Sequence, residues 1–349
     1  MSHSPNVIFD TILGKLGSGE IKQWQSTFRA SDDFYPTQPQ SHQWHVYTNA
    51  INTLLLGSFA RGHTILDWDM FHSKHTYSFL HAAARAVSGS TVYVSDKLGE
   101  HDAALIKSMS VAGRALRSQN GPAWPSADSI FVDPLDDAIG KPLFKISNAV
   151  GGGSAGESGV VVGIFNFGDP VARVPGAGWV SLDDLNHATA VSAGVDNSKD
   201  FAVLFAKTQK VVVVSRNEPV PVVVDSGDAE VVTFAPLLQT GDNFGGAVGT
   251  VGLLEKLNGY AAVYQSILKT PETDFASSVT YSAGLWASGV VGIYIENPEK
   301  VSAVRVDGKL VATAANSNNA QVSWLSETKI LAVDCRANGR EEIKDTVVE

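Results

Sequence analysis

The chain has 349 residues, with 26 lysines and arginines against 36 aspartates and glutamates, a formal net charge of -10. That balance, with no basic cluster, excludes a phosphate-binding surface and sets nucleic acid aside as a partner. Hydrophobic residues make up 44%, ample for one large domain or two ordinary ones, and no stretch reaches the roughly 18 apolar residues of a membrane-spanning helix.

The N-terminal residues show no basic start followed by an apolar run, the one cysteine, Cys335, has no internal partner, and no Asn-x-Ser/Thr acceptor occurs. These features predict a soluble cytoplasmic chain with no membrane partner, and Cys335 as a buried strand residue.

Taken in order, residues 5–16 place apolar groups at 8, 9, 12, 13 and 16, the spacing of one helical face. Residues 28–36 set Arg29 and the adjacent Asp32 and Asp33 between apolar residues and stop at Pro36, the pattern of a short strand delivering charge to a rim. On such a strand Arg29, Ser31 and Asp33 share one face and Asp32 points to the other. A helix follows over 41–57, with Ser41 placed to cap it.

Residues 64–71 repeat the pattern, running from apolar residues into Asp67, Trp68 and Asp69, the two acids on one face. An alanine-rich helix over 77–87 closes at Ser88-Gly89, a third strand over 90–97 ends in Asp96 and Lys97, and a further helix covers 101–111. Three strand-then-helix units with polar groups at the strand ends predict a parallel α/β sheet or barrel, which collects its catalytic groups at that end.

The texture changes near residues 118–125. Beyond it, short valine-rich and aromatic runs at 160–167, 201–205, 211–215, 220–224, 231–234, 290–295, 302–306 and 329–333 are separated by Gly, Asn, Asp and Pro, with Asp307-Gly308 as a hairpin signal. An antiparallel β domain is predicted, most simply a sandwich. The expected organisation is therefore two domains, 1–120 and 128–349.

Gly151-Gly152-Gly153-Ser154-Ala155-Gly156 matches both the dinucleotide fingerprint and the nucleophile-elbow pattern, but a strand follows it and no helix, so it reads as a hairpin loop. His42/His45 and His72/His75 share a three-residue spacing, with His81 beyond them. Without the remaining ligands of a zinc arrangement, rim hydrogen bonding to a polar ligand is preferred over a metal, and no cofactor is expected. The three charged strand ends each lie beside aromatics: Trp68, Phe71, Phe34 and Tyr35 offer faces for a sugar ring and the carboxylates accept its hydroxyls. A carbohydrate site accounts for both residue types.

Arg29-Ala30-Ser31-Asp32-Asp33-Phe34-Tyr35-Pro36, Asp67-Trp68-Asp69-Met70-Phe71, Ala82-Ala83-Ala84-Arg85-Ala86-Val87-Ser88-Gly89 and Val92-Tyr93-Val94-Ser95-Asp96-Lys97, in that order and spacing, resemble the raffinose synthase and seed imbibition protein group of α-galactosidases. Supporting likeness continues at Phe131-Val132-Asp133-Pro134, Leu143-Phe144-Lys145-Ile146, Gly163-Ile164-Phe165-Asn166 and Gly176-Ala177-Gly178-Trp179. The resemblance implies the last strands of an eight-stranded β/α (TIM) barrel followed by a β-sandwich, and a retaining α-galactosidase or galactosyl transferase acting on an α-galactoside. It assigns the acid/base to Asp33 and galactosyl contacts to Arg29, Asp32, Asp67, Trp68, Asp69 and Asp96.

A retaining mechanism needs a second carboxylate roughly 5 Å from the first. The family's nucleophile motif, Lys-Val-Asp-like, has no counterpart here: Lys145-Ile146 is followed by Ser147 and lies in the β region. The expectation is a C-terminal portion, inactive alone, whose open barrel edge calls for another chain or a second copy to supply the missing half. Two other readings stand beside it: a non-catalytic carbohydrate-binding or regulatory paralogue, and a purely structural β protein.

Overall fold

In a computed structural model the described residues are 26–60, 64–118, 121–135, 141–151, 158–171, 174–185, 193–196, 198–215, 218–241, 246–269, 278–315, 319–336 and 346–348. The helix expected over 5–16 lies outside them. Strand β1 (Ser26–Arg29) pairs in parallel with β2 (Thr64–Asp67), placing Arg29 opposite Asp67. Helix α1 (Pro39–Ala60) connects them and contains the predicted 41–57 span.

Helix α2 (Ser78–Ser88) comes next, and the strand expected over 90–97 reduces to one parallel bridge between Phe71 and Val94. There the Ser90 hydroxyl donates to the Leu66 carbonyl, taking by side chain an acceptor that a ladder would use. The helix expected over 101–111 is shorter, α3 (Ala103–Ser108), capped by Asp102 accepting from Leu105 N at 3.0 Å. Ser108 and Ser110 hydroxyls take the Leu105 and Ile106 carbonyls as the chain leaves for a small hairpin, β3 (Ser110–Val111) and β4 (Arg114–Ala115). Among the described residues, the strands pair in parallel only at β1–β2 and at that bridge, and no closed barrel is present.

Helix α2 is buried on every side from Leu80 to Ser88. Its alanines, Ala82, Ala83, Ala84 and Ala86, let it lie between α1 and a six-stranded sheet whose strands it touches. That sheet is built from β5 (Trp124–Pro125), β6 (Phe144–Val150), β7 (Gly159–Asn166), β9 (Asp200–Phe205), β10 (Val211–Ser215) and β12 (Asp228–Pro236), in the order β10-β9-β12-β7-β6-β5. Strands β6 and β7 pair antiparallel with Val150 opposite Gly159, so the glycine-rich run does join two strands of a hairpin; residues 152–157 of it lie outside the described residues.

The continuous valine runs of this sheet follow from burial on both faces. Val161, Phe165, Val231 and Ala235 face the core beneath α2, while Val160, Val162, Ile164, Val232 and Phe234 pack under a two-stranded ribbon of β8 (Gly176–Val180) and β11 (Val220–Val224).

Two five-stranded antiparallel sheets complete the chain. One has the order β13-β14-β17-β21-β20, from β13 (Leu238–Gln239), β14 (Ala247–Leu253), β17 (Val290–Ile295), β20 (Val322–Leu325) and β21 (Ile330–Asp334). The other, β15-β16-β22-β18-β19, comprises β15 (Val263–Lys269), β16 (Thr280–Leu285), β18 (Val304–Val306), β19 (Lys309–Ala312) and β22 (Thr346–Val348). The Tyr281 hydroxyl of β16 reaches across to accept from Thr250 N in β14 at 2.8 Å. The predicted turn is present: Asp307 and Gly308, at φ 49° and 75°, join β18 to β19. Cys335 is buried just past β21. The β region is antiparallel as expected, but spread over more sheets than one two-layer sandwich.

Gly89 caps α2 in the left-handed region at φ 72°, and an added Cβ would lie 2.2 Å from the Gly121 carbonyl oxygen. Gly89→Ala is therefore expected to lower the unfolding free energy by about 2 kcal/mol in urea denaturation. An unchanged midpoint would contradict this steric account.

Candidate functional site

Strand β1 ends at Arg29, so residues 30–36 are loop and the alternation expected through Asp33 does not apply to them. Arg29 and Asp33 meet all the same. The loop turns back so that Arg29 Nη2 lies 2.6 Å from Asp33 Oδ1, four residues on, and 3.7 Å from Asp69 Oδ2. Asp32 is exposed and stands apart from this pair.

The loop is held at both ends and pinned in the middle. Ala30 N donates to the Asp67 carbonyl at 2.9 Å, Asn52 Nδ2 of α1 donates to the Ala30 carbonyl at 2.5 Å, and Ser41 Oγ donates to the Tyr35 carbonyl at 2.5 Å. Phe34 sits edge-on to His42, His45, His72 and His81 at ring separations of 5.3 to 5.7 Å, while its N–H donates to Asp69 Oδ2 at 3.1 Å.

Beyond β2 the chain turns sharply: Asp69 adopts φ 59°, and its N–H donates to Asp67 Oδ1 at 2.9 Å. Tyr93 bridges the two acids, its hydroxyl donating to Asp67 Oδ2 at 2.7 Å and approaching Asp69 Oδ1 at 3.5 Å. Burial, the hydrogen bond to Asp67 and the two negative neighbours push the Tyr93 pKa up, so it stays a donor. The Asp69 side chain is only 2% exposed, whereas that of Asp33 is 69% exposed.

Beneath these acids lies a buried polar chain. Arg85, wholly inside α2, donates through Nη2 to the Trp68 carbonyl at 2.6 Å and through Nη1 to His81 Nδ1 at 2.8 Å. Guanidinium can only donate, so His81 Nδ1 must accept and its proton sits on Nε2. That nitrogen lies 2.8 Å from His42 Nδ1, and His42 Nε2 lies 3.2 Å from the Pro36 carbonyl. The direction of every bond is thereby fixed, from Arg85 through both imidazoles to the loop. His45 Nε2 joins at the Trp68 carbonyl, 3.2 Å away.

Desolvation is the leading cause of the shifts here. It lowers His42 to about 4 and His45 to about 3, pulls His81 well below its ordinary value with Arg85 adding repulsion, and brings Arg85 itself down to about 10. His42, His45 and His81 are neutral near pH 7 and belong to the interior of the loop's support, a correction to their expected role at a ligand rim, whereas His72 and His75 are only partly buried.

Of the sequence-predicted residues, Arg29, Asp33, Asp67 and Asp69 come together, with Tyr93 as an unforeseen member. Trp68 does not present a sugar platform: it is fully buried and its Nε1 donates to Thr53 Oγ1 at 3.1 Å. Phe71 is equally buried, while Tyr35 keeps 47% of its surface exposed. Asp96 belongs to a separate clamp, accepting from Ser73 N and Oγ at 2.7 and 2.6 Å and from His101 Nδ1 at 3.1 Å. Burial raises its pKa, but the hydrogen bonds from Ser73 and His101 together hold it below the usual range.

What these elements define is a polar face of carboxylates ordered by two arginines at the ends of parallel strands, carried on a mainly antiparallel β protein. The chain belongs to the raffinose synthase or seed imbibition protein Sip1 family, whose profile matches residues 20–324. It is 32% identical over 299 residues to the probable galactinol–sucrose galactosyltransferase 1 of Arabidopsis thaliana, covering 79% of this chain and 36% of that protein. With the galactinol–sucrose galactosyltransferase of Oryza sativa subsp. japonica it shares 31% over 277 residues, 72% of this chain and 33% of that protein. The chain thus spans about a third of the length of these curated relatives. Among solved structures, an α-galactosidase from Saccharomyces cerevisiae with raffinose aligns at TM-score 0.37 and 10% identity, covering 61% of this chain and 58% of that one, too slight a likeness to define a shared fold.

One of the missed residues, Arg85, had a signal. An arginine four positions after His81 within an alanine-rich helix has to meet something polar if that helix is buried, and the i, i+4 spacing names the partner. From pH 6.5 downward the unfolded chain takes up protons at His42 and His45 that the folded chain refuses until about 4 and 3, so stability falls with pH. Urea midpoints should already drop between about pH 6.5 and 5, above most carboxylate titration, and His45→Gln should flatten the slope. A flat wild-type profile over that window would contradict neutral burial.

Proposed function

We propose that this chain forms the acid/base side of a site that processes α-galactosides by a retaining two-carboxylate mechanism, as an α-galactosidase or galactosyl transferase. The observation that carries the reading is the Arg29–Asp33 pair, held at 2.6 Å beside the buried Asp67 and Asp69 in a chain of this family. The relatives' names, galactinol–sucrose galactosyltransferases, agree with a galactosyl sugar as substrate.

In this reading β1, β2 and the Val94 bridge are successive strands of a larger β/α barrel. Asp33 donates its proton to the departing oxygen and later takes one from water or an acceptor sugar. Its side chain is open and paired with Arg29, and a bound sugar would enclose it. Arg29 orients the Asp33 carboxylate, and Asp67 and Asp69, fixed by Tyr93, offer acceptors to galactosyl hydroxyls.

The nucleophile is a second carboxylate outside the described residues. Asp69 shares Arg29 Nη2 with Asp33 and so lies near it, but it is committed to Phe34 N and approached by Tyr93, which suits a galactosyl contact and not the nucleophile.

A chimera joining this chain behind the N-terminal portion of the Arabidopsis relative should transfer galactose from galactinol, whereas the 349-residue chain alone should not hydrolyse an aryl α-galactoside. In the chimera Asp33→Ala should lower turnover by roughly 100-fold or more for sugar leaving groups and much less for a dinitrophenyl leaving group, which needs no proton. Activity indifferent to Asp33→Ala, or an equal loss for both leaving groups, would remove Asp33 from the acid/base role.

A further inference from the structure

A cleft of about 510 Å³, sharing no lining residue with the Arg29–Asp33 face, lies between β6, β8 and the turns at residues 127–128 and 181–184. Its volume falls within the roughly 300–1,000 Å³ of small-molecule sites. Trp179 of β8 stands on its rim with 61% of its surface exposed. A large aromatic left this open on a strand offers a flat apolar face.

The polar wall has a defined chemistry. Lys145, reaching out of β6 with a side chain only 8% exposed, spends all three ammonium protons: on Asp184 Oδ1 at 2.5 Å, Asp128 Oδ2 at 2.8 Å and the Trp179 carbonyl at 3.2 Å. Burial opposes its charge, but the two carboxylates outweigh that and raise its pKa, so it remains an internal tie. It is therefore no anion receptor. What the cleft turns toward a ligand is acceptor oxygen: the Asp128 carboxylate, whose side chain is 60% exposed, and the exposed Asp183.

An aromatic face beside carboxylate acceptors, with the one cation already neutralised, suits a ring that is apolar on one side and rich in hydroxyl donors at its edge. We propose that this cleft is a second carbohydrate site, separate from the Asp33 face, which takes a neutral oligosaccharide by stacking on Trp179 with hydroxyls donated to Asp128 and Asp183. The inference rests on the cleft and on membership of a family whose relatives are named for galactosyl sugars; it does not depend on the role given to Asp33.

The test uses the 349-residue chain labelled with 5-fluorotryptophan. The chain has 7 tryptophans, and the Trp179 resonance is assigned by its loss in Trp179→Phe. On titration with raffinose that resonance should shift saturably. Asp183→Asn should raise the half-saturating concentration roughly tenfold, with thermal unfolding unchanged because the side chain is exposed. Asp33→Asn should leave the Trp179 titration unaltered, which separates this site from the proposed galactosyl site. A Trp179 signal that ignores raffinose, or one that responds to choline at lower concentration than to raffinose, would overturn the proposal; the second outcome would mark a cation site.

Discussion

A guanidinium sealed inside the protein governs the architecture beneath the candidate site. Among the described residues no carboxylate is in contact with Arg85. Its charge is spread over the carbonyls of Trp68 and Asp69, the Nδ1 of His81 and the ring of Phe71, and its Nε has no hydrogen-bond partner among the described residues. Burying a cation on such terms costs several kcal/mol unless nearby charge compensates, and Asp67 and Asp69 stabilise the charged form from a distance. The acids at the end of β2 and the arginine behind them hold each other in place across the turn they share.

From that constraint the rest of the face follows. Because Arg85 only donates, His81 and His42 are each limited to one tautomer, and the chain of bonds ends at the Pro36 carbonyl, the far end of the loop that carries Asp33. Phe34 fills the space among the imidazoles and ties the same loop to Asp69. The exposed Arg29–Asp33 pair is worth at most about 1 kcal/mol by itself. Its position comes from the buried scaffold, which is the usual division between a functional pair at the surface and the groups that place it.

Much of this was legible in the sequence. The turn from β2 into Asp67 and Asp69, the alanine-rich helix stopped at Gly89, the Asp307-Gly308 hairpin and the valine runs all behave as local chemistry dictates. The failures share one physical cause: periodicity reports which residues alternate, not where a partner strand ends. Residues 30–36 read as a strand because of their apolar flanks, yet ladder pairing stops at Arg29 and side chains take over the loop's hydrogen bonds. Trp68 read as a platform because it stood between two acids, but a residue at a strand end faces inward or outward by register, and here it faces the core. Histidine spacing gave proximity without depth, so the rim and the interior could not be told apart.

The directional chain from Arg85 to the Asp33 loop is the claim on which the account stands, and long-range nitrogen–proton correlation spectra of 15N-histidine-labelled protein at pH 7 read it directly. The account predicts that His42, His45 and His81 are all neutral and all protonated on Nε2. An Nδ1-protonated or doubly protonated His81 would contradict it, since neither state can accept a hydrogen bond from Arg85.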